Sequence, residues 1–479
     1  MVLAMSAPAA ITEVLQAQRP GRTEMIGATL SRWTLSYFTA SLVFLVFGLA
    51  LMAGGFGFPG HGIRAAETLI VVHAITIGWL ALLMSGALLQ FVPVLVNKSL
   101  WGSRASLPAL LLLVTGLSGL LIAFAGMAGL TESPAWLLPL SGILLTCGFS
   151  VIFVILGMTL WLARPIALPA RFVAAGICCL MITALLGSVF TFALSGFTEQ
   201  AALLDIAGAA LPVHAALGLG GWMTFTAMGV SYRLLTMFML SPDAARQTTR
   251  IIWWEGAAAL TILAVGIVVV ALEEGTIEIA VTAALIPGIA CIALYIVDIQ
   301  TIYRQRKRKT IELNSAASIP AFIALGLSLL LAIALFRTGA TDAMIAALVY
   351  LFTFGWLTGL SLAQLYKIVP FLTWLECYGP VMGRAPTPRV QDMVSERRAR
   401  QWFALYYTGV ALATLALIAD YPTVFRLAVM LNLAAILALV VHFFRARRLL
   451  YVPHSLRLPK GVILPHLIYA GEPILRRSK

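Results

Sequence analysis

Apolar residues run along this chain in blocks of about twenty or more, separated by short stretches marked by Gly, Pro or charge. A block of that length crosses ~30 Å of hydrocarbon as a single helix. The blocks predict twelve spans: 35–58, 66–96, 107–130, 136–162, 170–196, 208–240, 250–271, 277–303, 316–337, 341–371, 402–420 and 422–444. The two-residue alternation of a membrane β-barrel is absent. The pattern therefore predicts an all-α polytopic membrane protein with twelve transmembrane helices.

One stretch inside these blocks recurs three times without a gap. It reads GWLALLMSGALLQFVPVL from Gly78, GWMTFTAMGVSYRLLTMF from Gly221 and GWLTGLSLAQLYKIVPFL from Gly355. Each copy opens on Gly-Trp, at Trp79, Trp222 and Trp356. Eleven residues later comes a side chain with a polar head: Gln90, Arg233 and Lys367. The first and third copies close on Val-Pro, at Pro93 and Pro370. The copies start 143 and 134 residues apart and fall on spans 2, 6 and 10. So long a period implies a repeated multi-helix unit, here three units of four helices at about 35–162, 170–303 and 316–445. The ordinary reading of Gln90, Arg233 and Lys367 is snorkelling to the interface.

Composition agrees. The chain is 61% hydrophobic and 11% charged, against roughly 25% charged in soluble domains. The net charge of +13 could suggest a nucleic-acid partner, but its placement argues for a lipid bilayer instead. Basic residues follow the even-numbered spans, most densely at Arg304–Lys309 and Arg397–Arg400, and the opposite loops are base-poor. The positive-inside rule then puts both termini in the cytoplasm of a bacterial-type inner membrane. The expected division is a cytoplasmic segment 1–34, one membrane domain 35–445 and a basic tail 446–479. Five scattered cysteines offer neither a disulfide framework nor a CxxC site. No nucleotide-binding or zinc motif stands in a usable context. The cluster YKIVPFLTWLECYGP, from Tyr366 to Pro380, suits an interfacial belt and helix stop. The loop 372–401 is expected to be mobile.

Only two of the six histidines, His73 and His214, fall deep within spans. They lie on repeat helices 2 and 6, six and eight residues before the tryptophans, at similar depth in the outer half. Imidazole is a common metal ligand and an axial ligand of haem iron. The alternative is a hydrogen-bonded structural imidazole. Gly218 and Gly221 share the helix face of His214, which suits either a flat ligand or close helix packing. Asp298, with Tyr295 near it, and Glu255 are intramembrane or interfacial groups that a proton path would use. The commoner reading pairs both acids with nearby Arg or Lys.

Twelve spans in three units, with these two histidines, resemble the large catalytic subunit of the haem–copper oxidase superfamily. His73 with MSGALLQFVPV downstream looks like the nitric oxide reductase version of span 2. VHAALGLGGW looks like that family's span 6 around its non-haem metal. The resemblance implies three four-helix arcs about a pseudo-threefold axis. It implies His73 as an axial ligand of a low-spin haem, and His214 as a ligand of copper or iron beside a second haem. Four of the family's six histidine ligands are missing: span 7 carries none, and span 10 has Tyr350 six residues before Trp356. Standard oxygen or nitric oxide reduction is therefore not expected of this chain.

What remains is a haem-binding protein of that fold, holding a b-type haem through His73 or His214. The other ligand would be Met84, Met223, Met228, water or the second histidine. Such a protein would serve electron transfer or a nitric oxide or oxygen response, with a small redox subunit or cytochrome as partner. Arg64, Arg337 and Arg426 are the outer-side candidates for haem propionates, or else snorkel to lipid phosphate. The competing readings are a secondary transporter and a cofactor-free assembly subunit. Transporters of this size divide into two halves, whereas this chain divides by three.

Overall fold

The computed structural model describes residues 31–242, 246–273, 276–383, 385–458 and 464–470. Among these, eleven helices are long and apolar enough to cross a membrane. A twelfth span joins a short helix, Ala201–Ala209, at a bend of 63°. The spans are α1 (Thr34–Ala53), α2 (Ala66–Val96), α3 (Ser106–Met127), α4 (Leu137–Leu162), α5 (Leu168–Leu194) and α6 (Leu211–Met239). They continue as α7 (Gln247–Glu273), α8 (Ile277–Arg304), α9 (Leu313–Thr338), α10 (Asp342–Tyr378), α11 (Glu396–Ile418) and α12 (Pro422–Arg447). The bend before α6 has a local cause. Ala210 leaves helical geometry and Pro212 takes the first turn of the new helix, where its missing N–H costs nothing.

The bundle has apolar side chains inside and out. Ile286, Leu272, Ile279 and Leu330 are among the most exposed residues. An outer surface of that kind suits lipid, where the helices satisfy their own backbone groups. Consecutive spans pack as neighbours, and α12 closes the ring against α1. The helices α2, α6 and α10 stand inside and touch one another pairwise.

The loops after even-numbered spans meet at one end, the basic end. There the Arg308 N–H donates to Met239 O at 3.2 Å, and Gln391 Nε2 donates to Glu312 Oε1 at 2.7 Å. The segment after Tyr366 differs from expectation. Its helix does not stop at 371 but runs to Tyr378 and packs on its own chain. Trp374 Nε1 donates to Pro388 O at 2.6 Å, and the Tyr378 hydroxyl donates to Leu456 O at 3.0 Å. The loop expected to be mobile is tied down at these points. In the basic tail, Arg447 is buried, pairs with buried Glu376, and donates to the carbonyls of His466 (2.7 Å) and Tyr469 (3.0 Å). Most of the N-terminal segment, 1–30, lies outside the described residues.

Candidate functional site

Each Gly-Trp pair sits in a stretch of π-helix: Ala74–Ala81, Ala216–Phe225 and Leu351–Thr358. These wider turns occur in the same register of all three copies. Such segments are frequent at functional sites, because they turn the helix and re-aim side chains. The glycines allow close approach to the preceding span. A Cβ on Gly78 would stand 2.5 Å from Phe44 of α1, on Gly221 2.6 Å from Cys179 of α5, and on Gly355 2.7 Å from Ala324 of α9. The glycine face beside His214 is thus filled by α5, with Thr183 against Gly218.

The three indoles are fully buried and form a layer. Trp79 Nε1 donates to Thr358 Oγ1 at 2.9 Å, and Trp356 Nε1 donates to Thr224 Oγ1 at 3.2 Å. Each acceptor lies two residues after a tryptophan of another copy. The first copy has Ala81 at that place. Trp222 Nε1 is buried without a partner among the described residues.

His73 and His214 lie on the base-poor side of this layer. His73 Nδ1 bonds Leu69 O at 2.8 Å. A carbonyl only accepts, so Nδ1 carries the proton and Nε2 keeps its lone pair. The ring rests on Phe124 at 5.3 Å between centroids. His214 meets the edge of Phe190 at 5.2 Å. Gly187 leaves space beside it, since a Cβ there would be 3.5 Å from Cε1. Among the described residues its Nδ1 is buried without a side-chain partner within hydrogen-bond geometry, as is Thr183 Oγ1 on the neighbouring helix, whose backbone lies against the ring. The helices that carry the two imidazoles touch one another just beyond them, at their π segments.

Among the described residues, no group of three or more His, Cys, Asp or Glu could hold a metal ion. A bare copper or zinc ion needs about that many side chains. Haem iron brings four porphyrin nitrogens of its own and asks for one or two axial side chains. The donor set here therefore fits haem better than a free metal ion. The methionine alternatives fit poorly. Met84 is eleven residues from His73 and Met223 nine from His214. At ~1.5 Å per helical residue, each is more than 10 Å along its helix from that histidine.

The position of Tyr350 is sealed. Its hydroxyl accepts from Asn432 Nδ2 at 2.7 Å, and its ring stacks on Phe354 at 4.5 Å. Arg426 caps α1, donating to Gly54 O at 3.2 Å and Ala53 O at 3.4 Å. Arg64 and Arg337 are exposed.

Asp298 and Tyr295 belong to one cluster. Asp298 is buried and accepts from Thr248 (2.8 Å), Thr249 (3.0 Å) and Tyr232 (3.2 Å). Tyr232 and Tyr295 meet edge to face, and Tyr295 OH lies 2.6 Å from Ser231 Oγ. The expected Arg or Lys partner of Asp298 is not found among the described residues; hydroxyls take its place. Among the described residues no hydrogen bond links Glu255 to this cluster; it lies within reach of Cys291. Lys367 does not snorkel: its Nζ is 2.5 Å from Glu312 Oε2. Gln90 Oε1 accepts from the Ser31 N–H at 2.8 Å, while Arg233 is exposed.

No protein-family model matches this sequence, and no curated protein is detectably similar to it.

Proposed function

We propose that this chain is a haem-binding membrane protein with the architecture of the haem–copper oxidase large subunit and without a complete binuclear centre. It serves electron transfer or a response to nitric oxide or oxygen. The observation that carries this reading is the His73–His214 pair, the two deep histidines of the chain, on helices α2 and α6 that touch one another. The shared register of the π segments, the equivalent glycine contacts and the two Trp–Thr links support three four-helix units about a pseudo-threefold axis. The placement of base favours cytoplasmic termini in a bacterial-type inner membrane.

Bound haem supplies a one-electron couple. The chain's own residues do the rest. Leu69 O fixes the tautomer of His73, so Nε2 is the ligating nitrogen. The unpartnered Nδ1 of His214 is the atom that lacks an occupant's contact. Phe124 and Phe190 wall the imidazoles and keep water away. Arg64 and Arg337 are exposed on the same side as the histidines and suit the propionates, while Arg426 is already engaged by the carbonyls of Ala53 and Gly54. A small redox subunit or cytochrome is the partner such a role requires.

The test is the reduced-minus-oxidised visible spectrum of purified protein, with a pyridine haemochrome assay. One b-type haem per chain is expected. A flat spectrum after expression with ample haem overturns the proposal and leaves a transporter or a cofactor-free assembly subunit.

A further inference from the structure

On the basic side of the tryptophan layer, α2, α6 and α10, with Phe38 of α1, line a partly open apolar pocket of about 90 Å³. Its cause lies in the repeat. Leu80, Met223 and Leu357, each following a tryptophan, line its near end. Further along, the small residues Ala87, Ala227 and Ser361 also line it. The buried indoles hold the three helices apart at one level, and the small side chains then leave the space beside it unfilled. Protein interiors rarely keep a void larger than a water molecule, because such voids forfeit contacts.

The wall is almost wholly hydrocarbon and thioether. Of its polar residues, Ser231 is engaged by Tyr295 OH at 2.6 Å and Met228 O at 2.8 Å. Gln364 Nε2 donates to Ser318 Oγ at 3.0 Å, while its Oε1 is buried without a partner among the described residues. That leaves the Ser361 hydroxyl and one amide oxygen as the polar groups at the wall. A buried water needs two to four polar partners, whereas an apolar cavity stays dry and takes apolar guests.

We propose that this cavity is a binding site for a small apolar group, either a dissolved apolar gas or the end of a hydrocarbon chain. An apolar cavity of ~150 Å³ accepts benzene or xenon. This one takes a guest of about three heavy atoms, at the ~30 Å³ that a water occupies in the liquid. The site is separated from His73 and His214 by the tryptophan layer, so it does not depend on haem being bound.

Xenon is the probe. Crystals of the full chain under xenon pressure should show an anomalous peak between α2, α6 and α10. The peak should be lost in Ala227→Leu and in Ala87→Leu, two fillings from different helices, each checked for unchanged melting behaviour. Reconstitution with a lipid bearing a diazirine at the acyl terminus separates the sources. Label on Met84 or Met223 assigns a hydrocarbon chain; label confined to lipid-facing residues such as Leu330, with the xenon peak present, assigns a gas. Ordered waters in the cavity, xenon only on the outer surface, or a peak that survives in the filled variants overturns the proposal.

Discussion

The helices α6 and α10 carry the same repeat, yet their polar groups are treated differently. Along α10, Tyr350 is bonded to Asn432, Trp356 to Thr224, Lys367 to Glu312, and Glu376 to Arg447. Along α6, His214 Nδ1, Trp222 Nε1 and Thr226 Oγ1 are buried without partners among the described residues, and Arg233 is exposed. Buried polar groups are nearly always satisfied, so each exception calls for an occupant or a function. On α10, Thr353 Oγ1, Gln364 Oε1 and Tyr366 OH are likewise buried without partners among the described residues, so the two helices differ in where such groups lie rather than in how many there are. At the level of the histidines, His214 Nδ1 on α6 is unpartnered among the described residues, whereas Tyr350 OH on α10 is bonded to Asn432. On the proposed function, that local contrast favours α2 and α6 over the position of Tyr350 for the cofactor.

The largest effect should come from breaking the open side. On the proposed function, with both rings as axial ligands, His73→Ala and His214→Ala should each abolish the low-spin b-type difference band. Tyr350→Phe should leave the band unchanged, since Asn432 and Phe354 already occupy that side chain. The same reduced-minus-oxidised spectra check all three variants. A band that survives both alanine substitutions would remove the assigned ligands. A band lost only in Tyr350→Phe would reverse the comparison.

The closed side should break through stability instead. Glu376→Gln leaves Arg447 charged and buried without its carboxylate. Removing one partner of a buried pair costs about 3–5 kcal/mol. Arg447 also holds the carbonyls of His466 and Tyr469, so the 464–470 segment should loosen in hydrogen exchange. Arg233→Gln, on exposed α6 surface, should change the melting temperature little. Thermal unfolding in detergent, run side by side, measures the difference.

The tryptophan layer offers a smaller and more specific test. Thr358→Val or Thr224→Val keeps the shape and leaves one buried indole N–H unpaired, at a cost of about 1–3 kcal/mol. Trp222 already stands in that condition, opposite the copy that has Ala81. Ala81→Ser should supply the missing acceptor and recover part of that amount. Equal losses at Thr358 and Thr224 would show that the two links are equivalent, and a gain at Ala81 that the third is merely incomplete.

The spans were legible because hydropathy alone dictates them: each predicted block contains a helix here, although 35–58 ends early at Ala53 and 208–240 is broken at Ala210. The acceptors of the indoles were also in view, since two copies carry Thr two residues after Trp. The sequence reading fixed on the polar heads eleven residues along instead. Other features lay beyond it. The π segments leave no mark in hydropathy, because a widened turn shifts faces without changing composition. The Glu312–Lys367 pair joins residues 55 apart, and a long-range ion pair depends on how α9 and α10 pack. Asp298 was expected beside a cation, but three hydroxyls from α6 and α7 satisfy it, a solution visible only once those helices are in contact. The approach of the helices that carry His73 and His214 depends on the same kind of packing.

The smallest effect concerns Glu312 at the basic end, the partner that keeps Lys367 from resembling Arg233. Burial pushes its carboxyl up, but the Lys367 hydrogen bond and charge, with Gln391 and Arg308, outweigh that and hold it below its ordinary value of 4.5. A carboxylate with a lowered folded value binds more protons when unfolded. Its contribution is therefore complete above pH 4.5 and is lost as pH falls through the lower folded value. The group is near the surface and screened, so the loss should stay below about 1 kcal/mol. Melting temperatures taken downward from about pH 6 should fall more steeply for the parent chain than for Lys367→Gln, which has less of this stabilisation to lose. Arg233→Gln should follow the parent curve throughout. If Lys367→Gln does so too, the pair contributes nothing measurable and the two repeat positions are alike after all.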